Sequence, residues 1–425
     1  MDRQGPNGHS RLVPPKEDII TARTAADTDT AKTGPADPQG FPLGSVLTIT
    51  VGHAANDIYM SFLAPLLPLF IANLGLSHTR AGMLSLLKQT PSLFQPAIGH
   101  LADRFNLRGL AVLAPTVTAL AISLLGLAPS YTALALLLIV AGFSSVGFHS
   151  VAPLIAGELS GTRNIGRGMG LWIFGGELGF TLGPLLIVSV VDRFGLHATP
   201  WLVGVGMLGS LVLFLRLKDI PRTNARSADS LPLHQALVEM RPVLIPLLGL
   251  AASRALAMSA LSSYLPTFLS EAGASFWLAG ASLTVYQGAA SVGVLVGGSL
   301  SDLLGRRAVM LGSMVLTPLF LFAFLRLRGQ AQLLTLVAIG FVVVTYDPAA
   351  LAIVQESAVR NRGFASSVYL GLSFLIRAIA VVVVGILADW LGLPRAYAIG
   401  TALFLVGTPL LWLLPAGRST RALSR

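Results

Sequence analysis

The sequence predicts an all-α integral membrane protein with twelve transmembrane helices in two parallel six-helix bundles. Three observations support this fold class: the composition, a series of long apolar segments and an internal repeat. Of the 425 residues, 54% are hydrophobic and only 11% are charged. A soluble domain carries about 25% charged residues, so this chain has too few to cover a globular surface in water. The composition therefore excludes a soluble enzyme and a wholly disordered chain.

Long apolar segments recur from Phe41 onward, each close to the 20 or so residues that cross a bilayer as a helix. Predicted helices 1 to 12 cover 43–71, 79–102, 108–128, 132–157, 164–191, 199–217, 242–269, 276–302, 307–326, 331–356, 362–388 and 395–414. Residues 1–41 are polar and aperiodic, which predicts a disordered tail. The polar stretch 218–241 separates the bundles 42–217 and 242–415, and 416–425 forms a second tail.

The basic residues predict the orientation. The even-numbered connections and the C-terminal tail hold sixteen Lys and Arg, whereas the odd-numbered connections hold five. Basic loops stay on the cytoplasmic side, so both termini are expected in the cytoplasm and the protein in the inner membrane. Topology thus accounts for most of the net charge of +10, and no nucleic-acid partner is expected. The sequence has no Cys, no phosphate-binding loop, and no recognisable metal-ligand or Ser/His/Asp spacing, so no cofactor, metal or enzymatic activity is predicted.

The two halves of the chain resemble each other at an offset near 198 residues. Matched pairs include Pro68 and Pro266, Gly75 and Gly273, Gln89 and Gln287, and, one residue out of register, Asp192 and Gly195 with Asp389 and Gly392. These matches fall at loops and polar positions, where an apolar composition does not force them. Parallel repeats of this kind place a substrate path between the bundles, near the bilayer midplane.

Two matching loops carry a more specific signal. The residues in question are Gly99, Asp103, Arg104 and Arg108 between helices 2 and 3, and Gly298, Asp302, Gly305, Arg306 and Arg307 between helices 8 and 9. Both loops resemble the Gly-x-Leu-x-Asp-Arg-x-Gly-Arg-Arg signature of the major facilitator superfamily, although Asn106 replaces the usual Gly in the first copy. The resemblance implies a cytoplasmic gating latch, with helix 11 facing Asp103 and helix 5 facing Asp302. The alternative is a charged loop that only sets topology.

Within that superfamily, the segment Gly52-His53-Ala-Ala-Asn56-Asp57 resembles the fosmidomycin-resistance branch. The resemblance implies a proton-driven drug exporter that is monomeric. On helix 5, Gly179, Gly183 and Pro184 are similar to the Gly-x-x-x-Gly-Pro stretch of superfamily antiporters, although Leu185 and Leu186 follow where that pattern continues with Gly. Small residues four apart permit close helix packing.

Ionisable residues at membrane depth are the candidate site residues, because each is costly there. His53 and Asp57 lie four apart on one helix face, and Asp57 is the first candidate for the coupling proton, with Glu177 and Asp347 as rivals. The expected substrate cavity comprises Asn56, Lys88, Gln89, His149, Arg254, Gln287, Tyr346 and Arg377. Its cations suit an anionic or zwitterionic ligand. The alternatives are static buried ion pairs and, for His149, a packed core histidine.

These observations predict a secondary transporter that exports a small organic molecule or drug in exchange for protons, by alternating access. Its partners would be the substrate, protons and the lipid bilayer. Two other functions remain open from the sequence: uptake of a sugar or organic acid by proton symport, and a sensor or lipid-handling role without transport.

Overall fold

The computed structural model describes residues 42–95, 97–98, 101, 105–217, 233–358 and 362–414, and in these ranges every regular element is a helix. Eleven helices in the described ranges are long and apolar enough to cross a membrane. The helix at the second predicted span, His78–Gln89, is too short to be counted among these eleven. Numbered α1 to α12 to match the predicted spans, the helices cover Leu43–Leu74, His78–Gln89, Arg108–Leu127, Tyr131–Ser160, Arg167–Phe194, Leu196–Arg216, Leu237–Glu271, Phe276–Leu304, Arg306–Arg326, Gly329–Ser357, Phe364–Leu391 and Leu393–Leu413.

Two predicted boundaries differ from the observed ones. Helix 2 was expected to run over 79–102; α2 ends at Gln89, a 3-10 turn covers Thr90–Phe94, and the described residues 95, 97–98 and 101 are helical again. Pro91 explains the change, since it lacks an N–H and disfavours helical geometry in the residue before it. The linker was expected to extend to residue 241, yet helix begins at Leu233, because His234–Met240 carries no helix breaker. The predicted tails 1–41 and 416–425 lie outside the described residues.

α4 and α5 are helical without a break, although the chain reverses between them. In a straight helix, residues eight apart are separated by about 12 Å. Here a Cβ placed on Gly168 would touch the side chain of Ser160, so the two residues lie side by side. The reversal returns α5 alongside α4, and both pack on α1.

The internal repeat reappears in the turns between helices. Gly75 and Gly273 both adopt positive φ, at 58° and 92°, and the Ser two residues later caps the next helix in each half. Gly195 and Gly392 likewise share a φ of 82°. Positive φ is cheap only for Gly, which explains why these positions match across an otherwise divergent repeat.

α1 and α7 are both irregular at the matched position near the middle of the bundle. α1 is interrupted between Met60 and Leu63, and α7 forms a π-helical turn over Ala260–Tyr264. Each irregularity precedes a Pro, which removes a backbone donor from the helical ladder. The halves meet where α2 packs on α11 and α5 packs on α8. The irregular turns therefore lie beside the space between the halves.

Candidate functional site

A buried cluster of one carboxylate and two imidazoles lies inside the first half. The Nε2 atom of His53 is 3.1 Å from Asp57 Oδ2, and the Nε2 atom of His149 is 3.5 Å from the same oxygen. The two Nε2 atoms are themselves 3.1 Å apart. We call these three residues the His–Asp–His cluster.

The outer nitrogen of each ring fixes its tautomer. His53 Nδ1 lies 2.7 Å from the carbonyl oxygen of Trp172, and His149 Nδ1 lies 2.8 Å from that of Ser145. A carbonyl only accepts, so each Nδ1 carries hydrogen and each Nε2 of a neutral ring presents a lone pair. Two lone pairs and a carboxylate oxygen then converge on one point. At least one proton must lie between them, since three acceptors in contact would repel each other.

Neighbouring polar groups hold the cluster in place. Asn56 donates to the other carboxylate oxygen of Asp57 at 2.9 Å, and its own amide oxygen accepts from Thr118 at 3.0 Å. Trp172 stacks on the His53 ring with a centroid separation of 4.1 Å. Both faces of the cluster are therefore fixed by contacts from α3, α4 and α5.

Exposure differs within the cluster. The side chains of His53 and Asp57 are 6% and 3% exposed, whereas that of His149 is 29% exposed. Asp57 and His53 are thus shielded, and His149 is the more exposed member of the cluster.

The same three side chains could also ligate a metal ion, an arrangement that the sequence spacing did not predict. Two imidazole nitrogens bound to zinc at tetrahedral geometry would lie about 3.4 Å apart. The observed 3.1 Å between the nitrogens falls inside the ordinary hydrogen-bond range. The three ligand atoms, 3.1 to 3.5 Å apart, lie close enough to share a proton or to hold one metal ion.

The second half carries a permanent ion pair at the matched position. Arg254 Nη1 lies 3.2 Å from Asp347 Oδ1, and Nη2 donates to the carbonyl oxygen of Val343 at 2.7 Å. The guanidinium also lies 3.8 Å from the centroid of the Tyr346 ring. At the offset of 198, Arg254 corresponds to Asn56 and Asp347 to His149, so both halves place interacting polar groups at equivalent positions, a buried one and a more exposed one in each.

A cavity of about 110 Å³ lies between the two halves. Its polar wall includes Lys88 and Gln89 from α2 and Gln287 from α8, together with four Ser side chains. Lys88 donates to the carbonyl oxygen of Met60 at 2.6 Å, where α1 is interrupted. The structure thus brings together three of the predicted cavity residues, including the matched pair Gln89 and Gln287.

Glu177 and Arg377 flank the space between the halves. Glu177 accepts a long hydrogen bond of 3.4 Å from Ser291, which links α5 to α8. Arg377 is exposed, packs on the Phe374 ring at 4.7 Å, and interacts electrostatically with Asp347. In the part of the chain that the structure describes, Arg377 has no ion-pair partner.

Several cavity residues differ from expectation. Asn56 and Tyr346 are fully buried and Arg254 is 5% exposed. Asn56 and Arg254 are held by hydrogen bonds or an ion pair inside their own halves, and the Tyr346 ring packs on the Arg254 guanidinium. Arg254 pairs with Asp347, Lys88 donates to a backbone carbonyl, and Asp57 contacts the two histidines.

The small residues of α5 lie directly against α1. A Cβ on Gly179 would lie 2.7 Å from the carbonyl oxygen of Ala54, and one on Gly183 would meet Ile58 and Ser61. Pro184 lies inside the helix one residue later. This close approach allows α5 to bring the carbonyl of Trp172 to His53.

Comparison with known proteins identifies the fold. The sequence profile of the Major Facilitator Superfamily matches residues 49–293 and 247–425. The chain belongs to this superfamily. It is 27% identical over 400 residues to the fosmidomycin resistance protein of Escherichia coli (strain K12), covering 91% of this chain and 94% of that protein. It is 24% identical to the uncharacterized MFS-type transporter YfnC of Bacillus subtilis (strain 168), covering 88% and 94%.

Solved structures of the Major Facilitator Superfamily fold agree. A bacterial homolog of the human lysosomal transporter Spinster, inward-facing and unoccupied, superposes with a TM-score of 0.73 at 18% identity, covering 90% of this chain and all of that one. The D323A mutant of the nucleoside transporter NupG gives 0.73 at 14% identity, covering 87% and 100%. The protein is therefore a multi-pass membrane protein and a secondary transporter of a small molecule.

The second superfamily loop forms an ion-pair network at the start of α9. Arg306 contacts Asp302 and also lies 3.2 Å from Glu356 of α10. Gly305 takes a φ of 92° before the helix starts, which accounts for the Gly in the signature, and Gly298 lies a turn and a half before the end of α8. Helix 5 was expected to face Asp302, but the contacts of Asp302 in the described ranges are with Arg306.

The first superfamily loop is described only in part. Gly99, Asp103 and Arg104 lie outside the described residues. Arg108 opens α3, and its N–H donates to the Asn106 side chain at 3.2 Å. Asn106 therefore caps this turn where the signature has Gly.

Proposed function

We propose that this protein exports a small organic molecule, such as a drug, in exchange for protons. The observation that carries the proposal is the His–Asp–His cluster, whose three acceptors need a proton among them. A site that must hold a proton, and whose only partly exposed member is His149, has the features of a proton carrier. The similarity to a fosmidomycin resistance protein supports export of a drug-like substrate.

The proposed cycle links this cluster to the cavity between the halves. Substrate enters the cavity lined by Lys88, Gln89 and Gln287, within electrostatic range of Asp57 through Lys88. Loss of the shared proton leaves a net negative charge on the cluster, which strengthens the attraction for Lys88. Each protonation state then favours a different arrangement of the halves, as alternating access requires. Of the two rival candidates for the coupling carboxylate, Glu177 contacts the second half through Ser291, whereas Asp347 is paired with Arg254.

We further propose the arrangement that the sequence predicts: bundles 42–217 and 242–415, both termini in the cytoplasm, location in the inner membrane, and function as a monomer. The charge asymmetry of the connecting loops supports this orientation. The loops around Asp103 and Asp302 would then latch the cytoplasmic side.

The proposal is tested by comparing two transport assays on Asp57→Asn. Asn cannot carry the proton, so proton-driven uptake into inverted vesicles should be lost while substrate counterflow without a gradient persists. His53→Ala should shift the pH optimum of transport, because His149 and Asp57 remain. Glu239→Gln, an exposed carboxylate on the same chain, should behave as wild type. Full proton-driven accumulation by Asp57→Asn would contradict the assignment.

A further inference from the structure

A second histidine centre lies at the end of the bundle where α2 begins. His78 Nε2 is 2.7 Å from Glu271 Oε1 at the end of α7, and His78 Nδ1 is 3.0 Å from Asp389 Oδ1 near the end of α11. Ionised carboxylates only accept hydrogen bonds, so both ring nitrogens must donate. This geometry belongs to the doubly protonated imidazolium, which bridges one helix of the first half and two of the second.

The first turn of α2 is bound to α11 through its backbone as well. Asp389 accepts from the N–H of His78 at 2.7 Å and from the N–H of Thr79 at 3.0 Å. These donors have no partner within their own helix, and a carboxylate at a helix N-terminus is favoured by the helix dipole. The Tyr264 hydroxyl donates to the carbonyl of His78 at 2.7 Å. The start of α2 therefore closes this end of the space between the halves.

His78 is the group in this contact whose charge changes near neutral pH. The charged or titratable side chains that face it are Glu271 and Tyr264 from α7, Asp389 from α11, and Arg80 on α2, whose guanidinium lies 5.7 Å from the Tyr131 ring of α4. The part of α1 at this end, residues 61–74, contains no charged side chain. Carboxylates, Tyr and Arg ordinarily titrate well outside pH 5 to 8.

The repeat does not duplicate this centre. The position that corresponds to His78 at the offset of 198 is Phe276, which opens α8 and cannot titrate. The adjacent Trp277 donates to Ser189 of α5 at 3.3 Å, a contact without charge. Protonation of His78 therefore affects the contact between α2 and the second half, and the matched contact between Trp277 of α8 and Ser189 of α5 has no group that titrates near neutral pH.

We infer that His78, Glu271 and Asp389 form a pH-sensitive outer latch, which holds the non-cytoplasmic end closed while His78 is protonated. The inference rests on the proposed orientation, in which this end faces away from the cytoplasm. It is separate from the proton carried by the His–Asp–His cluster, because His78 lies at the opposite end of α2 from the cytoplasmic loop and outside the cavity. The latch sets how readily the transporter opens outward at a given external pH.

The direction of the pH effect follows from the contacts. The hydrogen bond to Glu271 is the largest influence that raises the pKa of His78 above its ordinary value of 6.5; partial burial opposes it, and Asp389 adds to it. A group whose pKa is raised in the closed state stabilises that state fully below the ordinary value. This stabilisation is lost as the pH rises through the raised value. Outward opening should therefore become easier as the external pH increases.

The test measures access to the cavity and needs no substrate. Ser262→Cys places a single thiol on the exposed cavity wall of α7, in a chain that has no other Cys. A membrane-impermeant maleimide is added outside, and each labelling rate is divided by the rate for the same variant unfolded at the same pH, because the thiolate that reacts becomes more abundant as the pH rises. This normalised rate should be several-fold higher at about pH 8.5 than at about pH 5.5. Adding His78→Gln should give a high normalised rate at every pH. His197→Gln, which removes another exposed histidine in the first turn of α6, should leave the pH dependence intact.

Two further variants keep the inference falsifiable if His78→Gln folds poorly. Glu271→Gln and Asp389→Asn each remove one carboxylate, so the pH midpoint of labelling should move down in both. A pH dependence that survives His78→Gln, or a midpoint that moves in neither carboxylate variant, would overturn the latch. Labelling that responds to pH only from the cytoplasmic side would overturn its outer location. Failure of proton-driven export with pH-dependent labelling intact would contradict the proposed function and leave the latch standing.

Discussion

Two carboxylates on α10 take part in ion pairs with very different surroundings. Asp347 pairs with Arg254, whose side chain is 6% exposed, whereas Glu356 pairs with Arg306, whose side chain is 25% exposed. A buried cation that loses its partner keeps its desolvation cost, while a surface pair contributes little. The same substitution should therefore have unequal effects at the two positions.

We predict that Asp347→Ala lowers the stability of the folded protein by about 1–3 kcal/mol, because it leaves the Arg254 guanidinium without a carboxylate. Glu356→Ala is the matched control and should change stability by less than about 1 kcal/mol. Thermal unfolding of the purified variants in detergent measures both. Equal melting temperatures for the two variants would contradict the structural account of Arg254.

At the scale of single residues, the sequence identified polar positions better than their partners. His53 and Asp57 could be paired because they lie four apart on one helix. His149 lies 92 residues after Asp57, and only the tertiary packing of α1 on α4 brings it to the same carboxylate. The repeat did align His149 with Asp347, which was a usable signal. His78 was not predicted as functional, although the matched pair Asp192 and Asp389 pointed to that end of the bundle.

The packing of α5 on α1 depends on the absence of side chains at one stripe of α5. At Gly179 the nearest atoms to an added Cβ are backbone atoms of Ala54 and Ile58, at 2.7 and 2.9 Å. Backbone atoms cannot rotate away as a flexible side chain can. An added methyl group must therefore separate the two helices.

We predict that Gly179→Ala destabilises the protein by about 1–3 kcal/mol, as overpacking of a close contact does. It should also reduce transport, because α5 supplies the Trp172 carbonyl that orients His53. Gly170→Ala is the control on the same helix, since an added Cβ there meets nothing within 4 Å. Melting temperature and counterflow rate are the measurements. A Gly179→Ala protein as stable and active as Gly170→Ala would show that the two helices can move apart freely.

At the scale of helices, run length and apolar composition predicted most boundaries to within a few residues. The exceptions have local causes. Pro91 interrupts the second predicted helix with a 3-10 turn, and the π-helical turn of α7 depends on packing that a one-dimensional apolar pattern does not encode. The length of a hydrophobic run therefore predicts that a helix crosses the membrane, but not where its backbone becomes irregular.

At the scale of the whole molecule, Arg377 of α11 is the exposed member of the three predicted cavity cations. Its guanidinium interacts electrostatically with Asp347, Arg254 and Tyr286, and the last two are buried in the second half. The next residue, Ala378, is 6% exposed. A charged guanidinium is costly in lipid, so we expect position 377 to face a water-filled space inside the protein.

We predict that a hydrophilic thiol reagent labels Arg377→Cys and fails to label Ala378→Cys or Arg254→Cys. The natural chain has no Cys, so each variant reports on one position. The readout is the mass shift of the intact protein after labelling in proteoliposomes. An unlabelled Arg377→Cys would place this residue in a packed environment and remove it from the proposed cavity.

The position occupied by the His–Asp–His cluster in the first half holds the Arg254–Asp347 ion pair in the second half, and the two differ in how their charges are balanced. At one copy a fixed cation and anion cancel permanently, as Arg254 and Asp347 do. At the other, the balance of the His–Asp–His cluster depends on a mobile proton. If the proton leaves as proposed, the charge of this cluster changes while the Arg254–Asp347 pair stays neutral, and a membrane voltage acts on that change with about 2.3 kcal/mol per 100 mV for a full crossing. Of the two matched positions, only the one in the first half would then respond to voltage through a proton.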